Sequence, residues 1–149
     1  MGKINKIINC CILTLGTNKF MMAEKITWES VGQKPNPVLS PAWSYKDLIF
    51  ASGTLGCEDD GTYSNSIERQ TQKALENLEK VLKAAGSSLQ DTLKIVVFLN
   101  KAEDIGRMNT VYAKFLPHKP ARSCFGINFP NKKVLVEIEA VAFKPKAKL

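Results

Sequence analysis

The sequence predicts a single α/β (α+β) domain in which one mixed β-sheet carries two helices on one face. Three observations predict it. The chain has 149 residues, enough for one real core and too few for two. Its 44% hydrophobic and 23% charged content is that of a globular protein, and no apolar run reaches the ~18 residues that span a bilayer. Its apolar residues also alternate between a period of two and a period of 3.6, in the order β-β-β-α-β-α-β-β.

The elements follow in chain order. Ile26-Thr27-Trp28-Glu29-Ser30 alternates apolar and polar residues like a half-buried strand. A Pro/Gly/Asn-rich connection runs from Gly32 to Pro41. Asp47 to Ser52 reads as a strand closed by Gly53, with Trp43 to Tyr45 as its partner, and Glu58-Asp59-Asp60-Gly61 is a turn. From Ser66 to Ala85 the spacing becomes helical, with Ile67, Thr71, Ala74, Leu75, Leu78 and Leu82 on one face. Ser64, Asn65 and Ser66 are available N-caps, and Gly86 suits the residue after the helix. Thr92 to Leu99 reads as a buried strand, and a second helix runs from Ala102 to Leu116, presenting Ile105, Met108, Tyr112, Phe115 and Leu116 as its apolar face, until Pro117 stops it. Two strands, Ala121 to Ile127 and Val134 to Phe143, finish the body. A sheet covered on one face leaves its other face apolar, which predicts an oligomer.

Residues 1–23 are a leader of different character: three lysines, no acid and an apolar stretch from Ile7 to Leu15. It lacks the cleavage site of a secretory signal and the Arg and Ser of a mitochondrial presequence. An upstream start before Met22 is favoured, with mitochondrial targeting close behind. The body is residues 24–144, and residues 145–149 are a basic tail. The expected location is the cytoplasm or the mitochondrial matrix.

The formal charge of +7 raises nucleic-acid binding. Lys3, Lys6, Lys19 and Lys25 precede Ile26 and Lys144, Lys146 and Lys148 follow Phe143, opposed by Glu24 alone, so the stretch between is near neutral. A neutral body offers no basic patch, and nucleic acid is not the expected partner. The four cysteines (Cys10, Cys11, Cys57 and Cys124) form neither a disulfide framework nor a zinc ligand set, and His118 stands alone. No metal site is expected. Cys124 with His118 is the one nucleophilic pair that composition permits.

The last strand carries the chemistry. Val134, Val136, Ile138, Ala140 and Ala142 fall on one face; Leu135, Glu137, Glu139, Val141 and Phe143 fall on the other. Two carboxylates thus share an otherwise apolar face about 7 Å apart. The preceding strand supplies Arg122 and, two residues on, Cys124. If the two strands pair, Arg122 meets a glutamate. That leaves two readings open: an interface ion pair without chemistry, or an anion site. In the second, the arginine fork grips a carboxylate and a glutamate orients water.

Pro120-Ala121-Arg122-Ser123-Cys124 and Val136-Glu137-Ile138-Glu139-Ala140-Val141-Ala142 resemble the signature region of the RidA (YjgF/UK114) family of reactive-intermediate deaminases. Leu48 to Gly53, Gln70 to Leu78 and Met108 to Tyr112 resemble its other blocks in the same order, so the resemblance spans Ile26 to Lys144. It implies a chorismate-mutase-like fold and a homotrimer whose sheets line a barrel, with sites between subunits. The implied activity is hydrolysis of 2-imino or 2-enamino acids, such as 2-iminopropanoate or 2-iminobutanoate, to 2-keto acids and ammonia, with no metal or organic cofactor. By resemblance Arg122 grips the substrate carboxylate, Glu137 positions the water, Cys124 lines the pocket, and Ser52 and Asn109 border it; Glu139 is structural. Many members close their site with an early tyrosine, where this chain has Leu39; Trp43 or Tyr45 is the available substitute. Some relatives are described as translation inhibitors, so RNA binding or ribonuclease activity is one alternative, and non-catalytic binding of small carboxylates is another.

Overall fold

The computed structural model describes residues 23–146. The leader's fate and the end of the tail lie outside the described residues. Six strands form one sheet in the order β1-β2-β3-β6-β4-β5: β1 (Glu24–Ile26), β2 (Ala42–Tyr45), β3 (Leu48–Leu55), β4 (Thr92–Leu99), β5 (Ala121–Gly126) and β6 (Val136–Phe143). The helices are α1 (Trp28–Val31), α2 (Ile67–Ala84) and α3 (Ile105–Phe115). The mixed sheet and the two long helices are as the sequence predicts.

Chain connectivity explains the strand order. Each of α2 and α3 is a crossover between parallel strands, β3 to β4 and β4 to β5. β6 then enters antiparallel between β3 and β4. The core lies under the helices, where Ile49, Ile95, Val97, Leu99 and Ile138 meet Leu75, Leu78 and Leu82 of α2 and Met108 of α3. Leu78 is fully buried, and Leu78→Ala is expected to cost about 2–5 kcal/mol, read as a lowered urea midpoint.

Four boundaries differ from expectation, each for a local reason. The alternation at Ile26–Ser30 ends after Ile26, because Thr27 caps a helical turn through Ser30 N–H at 3.3 Å and Gly32, at φ 74°, closes it. β3 does not stop at Gly53 but bulges between Ala51 and Thr54 and continues to Leu55. The second helix opens with a 3-10 turn at Ala102–Asp104. β6 begins at Val136 because the Leu135 N–H donates to Gln70 Oε1 at 2.9 Å instead of a neighbouring strand. Gln70 is fully buried, and its amide nitrogen donates to the carbonyls of Ser64 and Lys133.

Ser66 is the cap chosen for α2; its hydroxyl accepts from Arg69 N–H and donates to Glu68 at 2.6 Å. Ser66→Ala is expected to cost about 1 kcal/mol of unfolding free energy in a denaturant titration. Glu68 also takes both arms of Arg107 from α3, at 2.7 and 2.8 Å. With hydrogen bonds from Arg107 and Ser66, its carboxyl is held down at about 2. This depressed value means that the contribution is full above the ordinary 4.5 and is lost as pH falls toward 2.

The other face of the sheet is uncovered. Across the register, Trp43 and Tyr45 stand beside Phe50 and Leu48, and these beside Val141 and Phe143; further along the same face Val96 and Phe98 stand beside Glu139 and Glu137, with Phe125 stacked on Phe98 at 6.3 Å. Trp43, Tyr45, Phe50 and Phe125 are each about half exposed. The unpartnered apolar face expected from the sequence is therefore present.

Candidate functional site

Arg122 and Cys124 sit on β5, the edge strand, opposite Ile95 and Val97 of β4. Residues opposed across a ladder project to the same side. Ile95 and Val97 are fully buried beneath the helices, so Arg122 and Cys124 lie on the helix side of the sheet. Two residues of α3 receive the arginine. Its Nη1 donates to Asn109 Oδ1 at 2.7 Å, and its guanidinium carbon lies 4.7 Å from the centre of the Tyr112 ring. Burial pushes the Cys124 thiol up, and the neighbouring Arg122 charge opposes the rise. Among the described residues Arg122 makes no salt bridge with a carboxylate.

Glu137 sits on β6, opposite Phe98 on one side and Leu55 on the other. It therefore projects from the open face. Burial, and then the like charge of Glu139, push its carboxyl above the ordinary range. The β3 bulge makes room for it: a Cβ built on Gly53 would fall on Glu137 Oε1. Here glycine serves a close approach rather than a positive φ. Gly53→Ala is expected to displace this carboxylate while leaving α2 and α3 packed. Loss of the site's activity with retained far-UV circular dichroism would register it.

The condition that the Arg122 strand pairs with the Glu137 strand is not met. β4 lies between them, and Arg122 and Glu137 emerge from opposite faces of one chain. The signal lay in the sequence: a helix between Leu99 and Ala121 makes a crossover that sets β5 parallel to β4, leaving β6 to pair elsewhere. An ion pair of Arg122 with Glu137 or Glu139 would therefore form between chains.

Asn109 joins Arg122 directly. Ser52 follows Ala51 at the β3 bulge; its hydroxyl donates to the Ser40 carbonyl at 2.7 Å, and its N–H donates to the Pro41 carbonyl. These bonds tie the connection carrying Leu39 to β3. Leu39 is half exposed, and its carbonyl accepts from Trp28 Nε1 at 2.8 Å. Trp43 lines one hollow of about 450 Å³ with Leu39 and Ser52, whereas Tyr45 is not part of its wall. Glu139 lies opposite Val96 and lines a smaller hollow of about 270 Å³ with Lys94 and Phe50. His118 is turned away from Cys124, its Nε2 lying 3.1 Å from both Oγ1 and the carbonyl of Thr92. No cluster of three or more metal-ligating side chains occurs among the described residues.

A larger hollow, about 640 Å³, lies elsewhere, between residues 31–34, the 57–61 turn and α2. Two of its carboxylates are already paired, Asp59 with Lys73 and Lys80, and Glu58 with Arg69. Concavity alone therefore does not locate the chemistry. The residue that sequence reasoning missed is Tyr112, whose helical spacing marked it only as core.

Comparison with known proteins now decides the family. The model of the family described as Endoribonuclease L-PSP matches residues 31–144. The chain belongs to this L-PSP (YjgF/RutC/RidA) family. It is 44% identical over 114 residues to a RutC family protein of Pyrococcus horikoshii, covering 74% of this chain and 90% of that one. It is 34% identical to Reactive Intermediate Deaminase A, chloroplastic, of Arabidopsis thaliana, covering 69% of this chain and 57% of that one. Protein mmf1, mitochondrial, of Schizosaccharomyces pombe is 35% identical, over 73% of this chain and 74% of its own. Among solved structures, Escherichia coli TdcF with bound serine superimposes with a TM-score of 0.74 at 28% identity, over 82% of this chain and all of that one. The L-PSP fold is therefore that of this chain, and no helix among its described residues is long and apolar enough to cross a membrane.

Proposed function

We propose that this chain is a reactive-intermediate deaminase that hydrolyses 2-imino and 2-enamino acids, such as 2-iminopropanoate and 2-iminobutanoate, to 2-keto acids and ammonia. The observation that carries the reading is the separation of Arg122 and Glu137 onto opposite faces of the sheet. A site that uses both draws them from two chains, and the uncovered apolar face supplies the reason for chains to meet. The assembly proposed is a homotrimer with its sites between neighbours.

In that site Arg122, already oriented by Asn109, grips the substrate carboxylate as a fork. Glu137 of the neighbouring chain holds a water against the imine carbon. The water oxygen bonds to that carbon, the nitrogen takes up protons, and the carbon–nitrogen bond breaks to leave ketone and ammonia. Holding the carboxylate and the water against one carbon is proximity catalysis and asks for no covalent intermediate. Cys124 and Ser52 border the substrate, and the reaction as written uses no metal or organic cofactor. The relative named Reactive Intermediate Deaminase A supports the reaction class. The compartment proposed is the cytoplasm or the mitochondrial matrix, the latter supported by the relatives mmf1 and mmf2.

The test is release of 2-ketobutyrate from iminobutanoate generated in situ by a dehydratase. Acceleration by the purified protein supports the reading. A protein that binds 2-ketobutyrate without turnover would replace it with that of a non-catalytic carboxylate binder. The pH dependence adds a sign. Glu137 acts as a carboxylate, and its affinity for protons is raised, so turnover should rise with pH through a midpoint above the ordinary 4.5. Because Glu139 is one cause of the rise, Glu139→Gln should move that midpoint down.

A further inference from the structure

Arg122 is exposed, on an edge strand, and is the end of a long flexible side chain. An arginine in that setting ordinarily samples many rotamers, and binding an anion then requires freezing them. This one is met from two directions by residues one helical turn apart. Asn109 Oδ1 accepts from Nη1 at 2.7 Å, and the guanidinium carbon lies over the Tyr112 ring, 4.7 Å from its centre. Tyr112 itself is fixed: it is only 7% exposed and belongs to the core cluster with Met108 and Leu116. Its hydroxyl is buried and makes no hydrogen bond of good geometry among the described residues, although the Arg122 charge lies close enough to favour its ionised form. The ring and the hydroxyl are thus two separate ways for Tyr112 to meet Arg122, and the guanidinium carbon over the ring singles out the first.

We propose that Tyr112 is a positioning residue for Arg122: its ring is the floor on which the guanidinium lies flat, leaving the edge not taken by Asn109 turned outward for a carboxylate. This rests on the reading of Arg122 as the carboxylate anchor and extends it to the group that holds the anchor still. The attraction of a guanidinium for an aromatic face, together with the rotamers it removes, is worth roughly tenfold in affinity. Because the floor holds the anchor before and during reaction alike, its loss should appear in KM rather than in kcat.

The experiment compares the full-length protein with Y112F, Y112L and R122A. It measures binding of 2-ketobutyrate by calorimetry and hydrolysis of iminobutanoate by steady-state kinetics. Y112L should raise both Kd and KM roughly tenfold with kcat within about twofold of wild type. Y112F should restore both constants to within about twofold of wild type, since it keeps the ring. Wild-type affinity in Y112L would overturn the proposal, and so would an equal loss in Y112F and Y112L, because the hydroxyl would then be the active group. If Y112L does not fold, the Arg122 side-chain proton resonances of the wild-type protein decide. The ring predicts an upfield displacement that persists in Y112F; ordinary arginine positions would overturn the floor. R122A separates the two levels: full binding and turnover in R122A would remove the proposed function, whereas loss in R122A with none in Y112L removes only the role of Tyr112.

Discussion

Arg122→Ala is expected to slow iminobutanoate hydrolysis at least about 30-fold, with the fold and the thermal midpoint little changed. The expected loss follows from the contact removed. A bidentate arginine–carboxylate contact contributes on the order of 2–4 kcal/mol, and each 1.36 kcal/mol is about tenfold in rate. The small effect on folding follows from position. Arg122 is exposed, and its side-chain contacts in this chain are one hydrogen bond to Asn109 and a face against Tyr112. Arg122→Lys should recover little, because an ammonium is a point charge that neither forks nor lies flat on a ring. Rates from the dehydratase-coupled assay, beside unfolding curves for each variant, check both halves.

Glu137→Gln is the second large effect. A positioned acid–base group contributes about 10²–10⁴ in rate, and the amide is nearly the same shape, so the loss should lie in kcat. The same substitution should leave the protein as stable as before, or more so. Burial and Glu139 make the ionised form costly in the folded state, and the amide cannot ionise. The sign is definite: with a folded pKa above the unfolded one, Glu137 costs stability above that range, and the cost disappears as pH falls through it. A residue that lowers both activity and stability when removed would be a structural ion-pair partner. One whose removal lowers activity alone is held in place for chemistry. Denaturant titrations of wild type and Glu137→Gln at pH 7, set beside their kcat values, separate the two.

The legible parts of this molecule were those fixed by local physics. The apolar stripe from Ile67 to Leu82 and the serine before it specified α2 nearly to the residue. The alternation at Val136–Phe143 sorted Glu137 and Glu139 onto one common face of the strand. What did not follow was non-local. Local pattern left open whether the Arg122 strand pairs with the Glu137 strand; the crossover through α3 commits β5 to β4. Gly53 read as a strand end because the feature that needs it, the Glu137 carboxylate, comes 84 residues later. Gln70 looked like one more polar helix residue, yet its buried amide sets where β6 starts. Tyr112 read as core and is core; only the position of Arg122 gave it a second surface.

The resemblance already implied sites between subunits, and the sheet order gives that implication a physical reason. Arg122 and Glu137 lie on opposite faces of one chain, so the proposed site draws them from two. The measurement that tests this most directly is complementation between chains. Arg122→Ala and Glu137→Gln are each expected to be nearly inactive alone. Co-expressed so that mixed assemblies form, they should recover about a quarter of wild-type turnover, because random assembly places an intact Arg122 against an intact Glu137 at one site in four. Co-expressed material no more active than either variant alone would contradict the two-chain site.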